Sequence, residues 1–298
     1  MEDLFCIVSG GNSGIGKEIS RGLLEKGAKV VLACRNMDSC ELVRSELLAS
    51  TGRSQSSCSC AQVDLEDLQS IRDFAVRQKK DLKSARRKLD VLINNAGVMS
   101  LPDGPDGEDR TLLANHFGPF LLTNLMIPTM STGSRIVNVS SRAHYQGSLH
   151  FDDSENLCNH PRWWFAKYSR SKLANVSFTL ELQRRLQPKG ITAYATSPGP
   201  VNTSLFRNFP WYTQWVLRPL TSALFRTPKQ GAQSTLYAAL SPELSGKNVL
   251  FIHDDCPMEA SESARDRSTA QRLWRASEKR VELGKYPEDE GCLLSEPS

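Results

Sequence analysis

The stretch Leu4-Phe5-Cys6-Ile7-Val8-Ser9-Gly10-Gly11-Asn12-Ser13-Gly14-Ile15-Gly16 decides the fold. A short unbroken apolar run, of the length of a buried strand, leads into a glycine-rich loop, and an amphipathic helical pattern follows over residues 16–26. Glycines at such a junction let the chain turn sharply and let backbone N–H groups approach a pyrophosphate at a helix N-terminus. The spacing is Gly-x-x-x-Gly-x-Gly rather than the commoner Gly-x-Gly-x-x-Gly. A P-loop is the rival, since Gly11-x-x-x-x-Gly16-Lys17 fits its start. Glu18, however, stands where Ser or Thr would hold magnesium, and a carboxylate there repels phosphates.

Working outward, apolar strand-like runs at 28–34, 61–63, 91–93, 135–139, 192–195 and 248–252 alternate with helical patterns at 39–50, 68–83, 110–130, 162–186 and 228–239. Such alternation predicts a parallel sheet covered by helices on both faces. The expectation is one doubly wound Rossmann-type α/β domain over residues 1–285, with a mostly parallel sheet, and a disordered acidic tail at 286–298. Residues 207–226 interrupt the pattern with Phe209, Trp211, Tyr212 and Trp215 between Arg207 and Arg226. An apolar substrate lid, a membrane-surface contact and a packed surface helix are the three readings of this insertion.

The 298 residues are 39% hydrophobic and 23% charged, ordinary for a globular chain and too mixed for collagen, low-complexity disorder or a polytopic membrane protein. No apolar run approaches the ~18 residues of a spanning helix, and no signal peptide is expected from the residues before the first strand. The expected location is cytoplasmic or peripheral on an intracellular membrane. Net charge is +4, and +8 over residues 1–286, because the last twelve residues hold four acids and no base. The basic run from Arg77 to Lys88 reads as a solvated helix face, so no nucleic-acid partner is expected. The eight cysteines show neither Cys-x-x-Cys modules nor the density of a disulfide scaffold, and Cys58-Ser59-Cys60 is the single close pair. A reducing compartment and no metal site are expected.

The second strand ends in Arg35, where an acid would hold the ribose 2′-hydroxyl of NAD and an arginine suits a 2′-phosphate. NADP(H) is therefore the preferred cofactor, with NAD(H) as the alternative. Tyr168 and Lys172 are four apart, so a helix places both on one face, where an ammonium is expected to lower the phenol pKa toward working pH. Such a tyrosine can serve as a general acid or base. Ser141 closes the strand at 135–139, at the strand end where doubly wound sheets bind ligands, and its hydroxyl can steady charge on a substrate oxygen. Ser140 is the alternative. His116, His144 and His150 suggest a triad with Ser141, but no Gly-x-Ser-x-Gly elbow surrounds that serine. Trp163 and Trp164, just before Tyr168, suit either a substrate mouth or a subunit interface.

Together these motifs resemble the short-chain dehydrogenase/reductase family over residues 4–253. Ser9-Gly10-x-x-x-Gly14-x-Gly16 is similar to its Thr-Gly-x-x-x-Gly-x-Gly, and Asn94-Asn95-Ala96-Gly97 is its Asn-Asn-Ala-Gly run. Asp64, Ser140-Ser141, Tyr168-Ser-Arg-Ser-Lys172 and Pro198-Gly199-Pro200-Val201-x-Thr203 follow in family order. Leu32–Arg35, 115–123 and 171–175 resemble the retinol dehydrogenase branch. The resemblance implies catalytic roles for Asn115, Ser141, Tyr168 and Lys172, Asn115 holding a water in a relay with Lys172. It implies cofactor contacts from Ser9, Gly10, Asn12, Ser13, Gly14, Ile15, Gly16, Arg35, Asp64, Leu65, Asn95, Ala96, Gly97, Tyr168, Lys172, Pro198, Val201 and Thr203. The expected activity is hydride transfer between NADP(H) and a small lipophilic, retinoid-like alcohol or carbonyl compound. Peripheral membrane contact and self-association stay open. A catalytically silent nucleotide-binding protein on the same fold is the second hypothesis, and the intact Ser141–Tyr168–Lys172 set weighs against it.

Overall fold

Side chains that alternate along the strands enter two different cores. Ile7, Val31, Leu92 and Ile136 point into one, while Cys6, Val8, Val30, Leu32, Ile93 and Val137 point into the other. The computed structural model describes residues 3–105, 107–158, 161–201, 225–244, 247, 249–292 and 294. Its main sheet has the order β10-β9-β8-β5-β4-β1-β2-β3. The strands are β1 (Phe5–Ser9), β2 (Lys29–Cys34), β3 (Cys58–Gln62), β4 (Val91–Asn94), β5 (Arg135–Val139), β8 (Thr192–Ser197), β9 (Phe251–His253) and β10 (Cys256–Met258). All neighbours pair in parallel except β9 and β10. The Asp254-Asp255 turn between those two has φ of 54° and 60°, the left-handed geometry of a tight hairpin. A separate two-strand ribbon pairs β6 (His150–Phe151) with β7 (Leu157–Cys158).

Helices α1 (Gly14–Glu25), α2 (Met37–Thr51) and α7 (Pro228–Leu240) cover one face. The other carries α3 (Leu68–Ser84), a short α4 (Arg110–Leu112), α5 (Gly118–Met126), α6 (Trp164–Leu186) and, after the single turn α8 (Glu262–Arg265), α9 (Arg267–Val281). Helix starts follow their capping chemistry. Asn36 accepts from the Ser39 N–H, Asp67 from Gln69 and Ser70, and Thr227 forms a capping box with Gln230. Between α4 and α5 the chain makes a π-helical turn, Leu113–Phe117. Among the described residues no helix is long and apolar enough to cross a membrane.

Three expectations change. Among the described residues after Tyr286 (287–292 and 294) the chain is packed, not a loose tail: Asp289 forms a buried ion pair with Arg72, Lys79 donates to the Glu288 carbonyl, and Cys292 and Leu294 are buried. The tail's acidic stretch thus meets the basic side chains of α3, which its composition alone did not reveal. Cys40 of α2 and Cys60 of β3 form a disulfide, although nothing in the cysteine spacing marked the pair. The helix α9 was also missed: its charges obscured the buried stripe Ala270, Leu273, Trp274, Ser277 and Val281. Of the expected lid, only Phe225 and Arg226 lie within the described residues.

Candidate active site

The glycine loop sits at the C-terminal end of β1, beside the switch point where chain order reverses between β1 and β4. Gly10 has φ of +65°, and its N–H donates to the Ala33 carbonyl at 2.8 Å, turning the chain off the strand. A Cβ at Gly16 would lie 2.2 Å from the Gly10 carbonyl oxygen and 2.4 Å from Asn95 Nδ2, so only glycine fits there. Ser9 Oγ accepts from both the Asn95 and Ala96 N–H groups at 3.0 Å, and Asn95 Nδ2 donates back to the Ser9 carbonyl at 2.9 Å. These bonds join the glycine loop to the Asn94–Gly97 run after β4.

A cleft of about 510 Å³ opens over this junction. Of the residues expected to touch a cofactor, Gly10, Asn12, Ser13, Gly14, Ile15, Gly16, Arg35, Asp64, Leu65, Asn95, Ala96 and Gly97 line it. Sequence reasoning missed Cys34, Asn36, Ser39, Val63, Glu66, Val98 and Ala114 in its wall. Asn36 could have been found as the cap of α2; it orders Ser39, which accepts from Asn12 Nδ2 at 2.8 Å. Arg35 is largely exposed at the cleft mouth, 3.2 Å from Glu66 and 3.8 Å from Asp64. Glu66 is already held by Arg110 at 2.6 Å. A backbone cradle without side chains, a helix N-terminus and an arginine at the end of β2 fit the pyrophosphate and adenosine of a dinucleotide.

The groups that the family resemblance gives catalytic roles adjoin the cleft at Gly97, where a Cβ would lie 3.4 Å from both Asn115 Oδ1 and Lys172 Nζ. Lys172 is buried, its Nζ donates to the Val139 carbonyl at 3.0 Å, and it lies 5.5 Å from the centre of the Tyr168 ring. Burial pulls its pKa down to about 8. Tyr168 hydrogen-bonds Ser141, yet burial dominates and pushes the phenol up to about 12. This corrects the expected lowering: the ammonium is itself bonded to the Val139 carbonyl, 5.5 Å from the ring centre, and desolvation of the phenolate outweighs the Ser141 hydrogen bond. Ser141 caps the turn after β5 by accepting from the Ala143 N–H at 3.2 Å. Ser140 instead buries its hydroxyl against the Lys172 carbonyl at 2.8 Å.

Asn115 sits in the π turn and clasps Val98, accepting from its N–H and donating to its carbonyl, both at 2.8 Å. The same amide donates to Ser171 Oγ at 2.9 Å. The histidines form no triad with Ser141. His144 bonds the Ser141 backbone carbonyl and accepts from the Ser261 N–H, while the buried His116 bonds Ser277 and is pushed down to about 3 by desolvation. Pro198 and Val201 follow β8, Val201 bridging to Arg226. Thr203 lies outside the described residues.

This constellation agrees with comparison against known proteins. The profile described as short chain dehydrogenase matches residues 5–152 and 154–211. The chain belongs to the short-chain dehydrogenase/reductase family. It is similar to dehydrogenase/reductase SDR family member 13 of Bos taurus, 40% identical over 285 residues that cover 94% of this chain and 73% of that protein. It is also 41% identical to retinol dehydrogenase 12 of Mus musculus, over 91% of this chain and 84% of the relative. Among solved structures, a protein from Mycobacterium paratuberculosis superposes with a TM-score of 0.70 at 30% identity, covering 94% of each chain. A Burkholderia cenocepacia short chain dehydrogenase in complex with NADP shares the fold, with a TM-score of 0.66 at 22% identity over 85% of this chain and 96% of the other. Membership in this family and in its retinol dehydrogenase-like branch makes the chain an oxidoreductase on a Rossmann-type fold.

Proposed function

We propose that the chain is an NADP(H)-dependent alcohol dehydrogenase/carbonyl reductase acting on a lipophilic, retinoid-like substrate. The observation that carries this reading is the junction at Gly97, where the cleft meets Lys172, Asn115 and, one helical turn from Lys172, Tyr168 bonded to Ser141. When bound, the nicotinamide supplies the hydride chemistry. Ser141 and Tyr168 bind the substrate oxygen. A phenol pushed up to about 12 holds its proton at neutral pH, as an acid for carbonyl reduction must. Lys172 and Asn115 stand behind it, and Lys172, near 8, can re-supply a proton from the buried side.

Arg35 supports the NADP(H) preference. Its acidic neighbour Glu66 is already neutralised by Arg110, which leaves the Arg35 guanidinium able to turn to a 2′-phosphate. The lipophilic substrate is supported by Trp163, 60% exposed, which clusters with Trp164 and Phe165 just before Tyr168. The 207–226 segment remains proposed as an apolar lid. Peripheral membrane contact through the same apolar and basic surface is part of the proposal.

The test is a screen of NADPH oxidation by purified protein against retinals, fatty aldehydes and ketosteroids, with NADPH binding measured in parallel. Turnover of long apolar carbonyls is expected. Tight NADPH binding with no turnover across the panel would leave the catalytically silent reading standing instead.

A further inference from the structure

Three side chains of α6, interleaved with Tyr168 and Lys172, anchor that helix to the segment between β4 and α5. Lys167 pairs with Asp103, Arg170 with Asp109, and Ser171 accepts from Asn115. The Arg170–Asp109 pair is the unusual one. Both side chains are only 2% exposed, and Arg170 Nη2 donates to Asp109 Oδ2 at 2.7 Å. The other Asp109 oxygen accepts from the Leu112 N–H at 3.1 Å, and the Asp109 carbonyl accepts from Leu113 at 3.0 Å. Asp109 therefore caps α4, which runs directly into the π turn bearing Asn115.

Stability does not explain the pair. Burying a guanidinium and a carboxylate costs several kcal/mol for each ion, and an apolar pair of similar volume is often equally stable or better. A charge-assisted hydrogen bond from a guanidinium whose second Nη donates to the Cys158 carbonyl, onto a carboxylate whose other oxygen caps α4, instead offers direction, because it tolerates little displacement, whereas packed aliphatic side chains slide. Neither residue lines the cleft. We infer that Arg170 and Asp109 are positioning residues, whose ion pair sets the register of α6 against the π turn and so holds Tyr168 and Lys172 opposite Asn115 and Gly97. This inference rests on the reading of Tyr168 and Lys172 as the proton-handling pair. Misplacement of reacting groups by about 1 Å can cost on the order of 100-fold in rate, so a device this far from the reacting atoms has leverage.

The test uses the full chain carrying Arg170→Met/Asp109→Asn, which removes both charges and keeps a capping oxygen, beside Arg170→Lys, which keeps a charge within reach of Asp109. Four quantities are read: kcat and KM for NADPH-dependent reduction of nonanal, the NADPH Kd, and hydrogen exchange at the Val98 amide, whose N–H is held by Asn115. The double variant is expected to lose at least about tenfold in kcat. Its NADPH Kd and the protection of β1 and α1 should stay unchanged, while Val98 exchange accelerates. Arg170→Lys should recover most of kcat. Wild-type kcat and Val98 exchange in the double variant would overturn the inference. So would losses spread equally over NADPH binding and protection throughout the chain. If the wild-type protein reduces no carbonyl in the panel, the catalytic reading fails by itself, and Val98 exchange still decides whether the pair sets the turn.

Discussion

The two ends of the cleft are built by opposite means. At the dinucleotide end the chain removes side chains: Gly10 takes a positive φ, and Gly16 leaves space that a single Cβ would close to 2.2 Å. At the end proposed to handle the proton it buries side chains that prefer water: Lys172, Tyr168, Asn115 and, behind them, Arg170 with Asp109. The first end needs space and pays little in electrostatics; the second accepts desolvation, visible in a lysine pulled down to about 8 and a phenol pushed up to about 12. The lesson is that binding and proton chemistry should fail separately, and that the second end should weaken the fold while the first should not.

The largest effect expected on cofactor binding, and the first way to break this comparison, comes from Gly16→Ala. A methyl forced against the Gly10 carbonyl must displace the loop, an overpacking strain of about 1–3 kcal/mol in stability, and the displaced cradle should lose at least about tenfold in NADPH affinity in a calorimetric titration. Unchanged affinity would mean that the loop is not the cradle.

Next is the Cys40–Cys60 disulfide, which ties the α2 turn at the cleft wall to edge strand β3 across a separation of 20 residues. Its reduction should cost about 3 kcal/mol of stability, read as a lower Tm, and leave kcat at saturating NADPH unchanged. A loss of kcat on reduction would show that the two ends are coupled.

Lys172 sharpens the comparison through pH. Its folded pKa, about 8, lies below the ordinary 10.5, so the unfolded chain binds the extra proton between those values. Stability therefore rises as pH increases from about 8 to 10.5, and the buried ammonium is a liability below that window. Lys172→Met, assayed without cofactor at pH 7, should raise stability by up to about 3 kcal/mol while abolishing turnover. A lower Tm would show that the bond to Val139 outweighs the burial of charge.

The smallest effect is at Arg35, which is exposed and shared with Glu66. Arg35→Ala should narrow the NADPH-over-NADH preference by roughly tenfold, as expected for one charge-assisted contact worth ~1.5 kcal/mol. Equal affinities in the unmodified protein would contradict the NADP(H) assignment.

The dinucleotide end was the more legible in sequence, because its signal is local. Glycine spacing after an apolar run states both the turn and the cradle, while helical spacing puts Tyr168 and Lys172 on one face and the family resemblance singles the pair out. Partnerships across long separations left no such trace. Arg170 and Asp109 are 61 residues apart and Arg72 and Asp289 are 217 apart, so no local pattern marks either pair. The direction of the Tyr168 shift was misjudged for the same reason: sequence showed the neighbouring ammonium, and only the structure showed the burial that outweighs it. Trp274 packs edge-on to Phe120 with ring centres 5.0 Å apart, yet its helix reads as polar because charges surround the buried stripe.

The separation of binding from proton chemistry is tested most directly by Tyr168→Phe, with NADPH affinity by calorimetry and NADPH oxidation by a long-chain aldehyde measured on the same preparation. Removing the hydroxyl while keeping the buried ring should lower turnover by about 10²- to 10⁴-fold, the range of a lost general acid, with NADPH affinity within about twofold of the unmodified protein. Retained turnover, or turnover and affinity lost together, would contradict it.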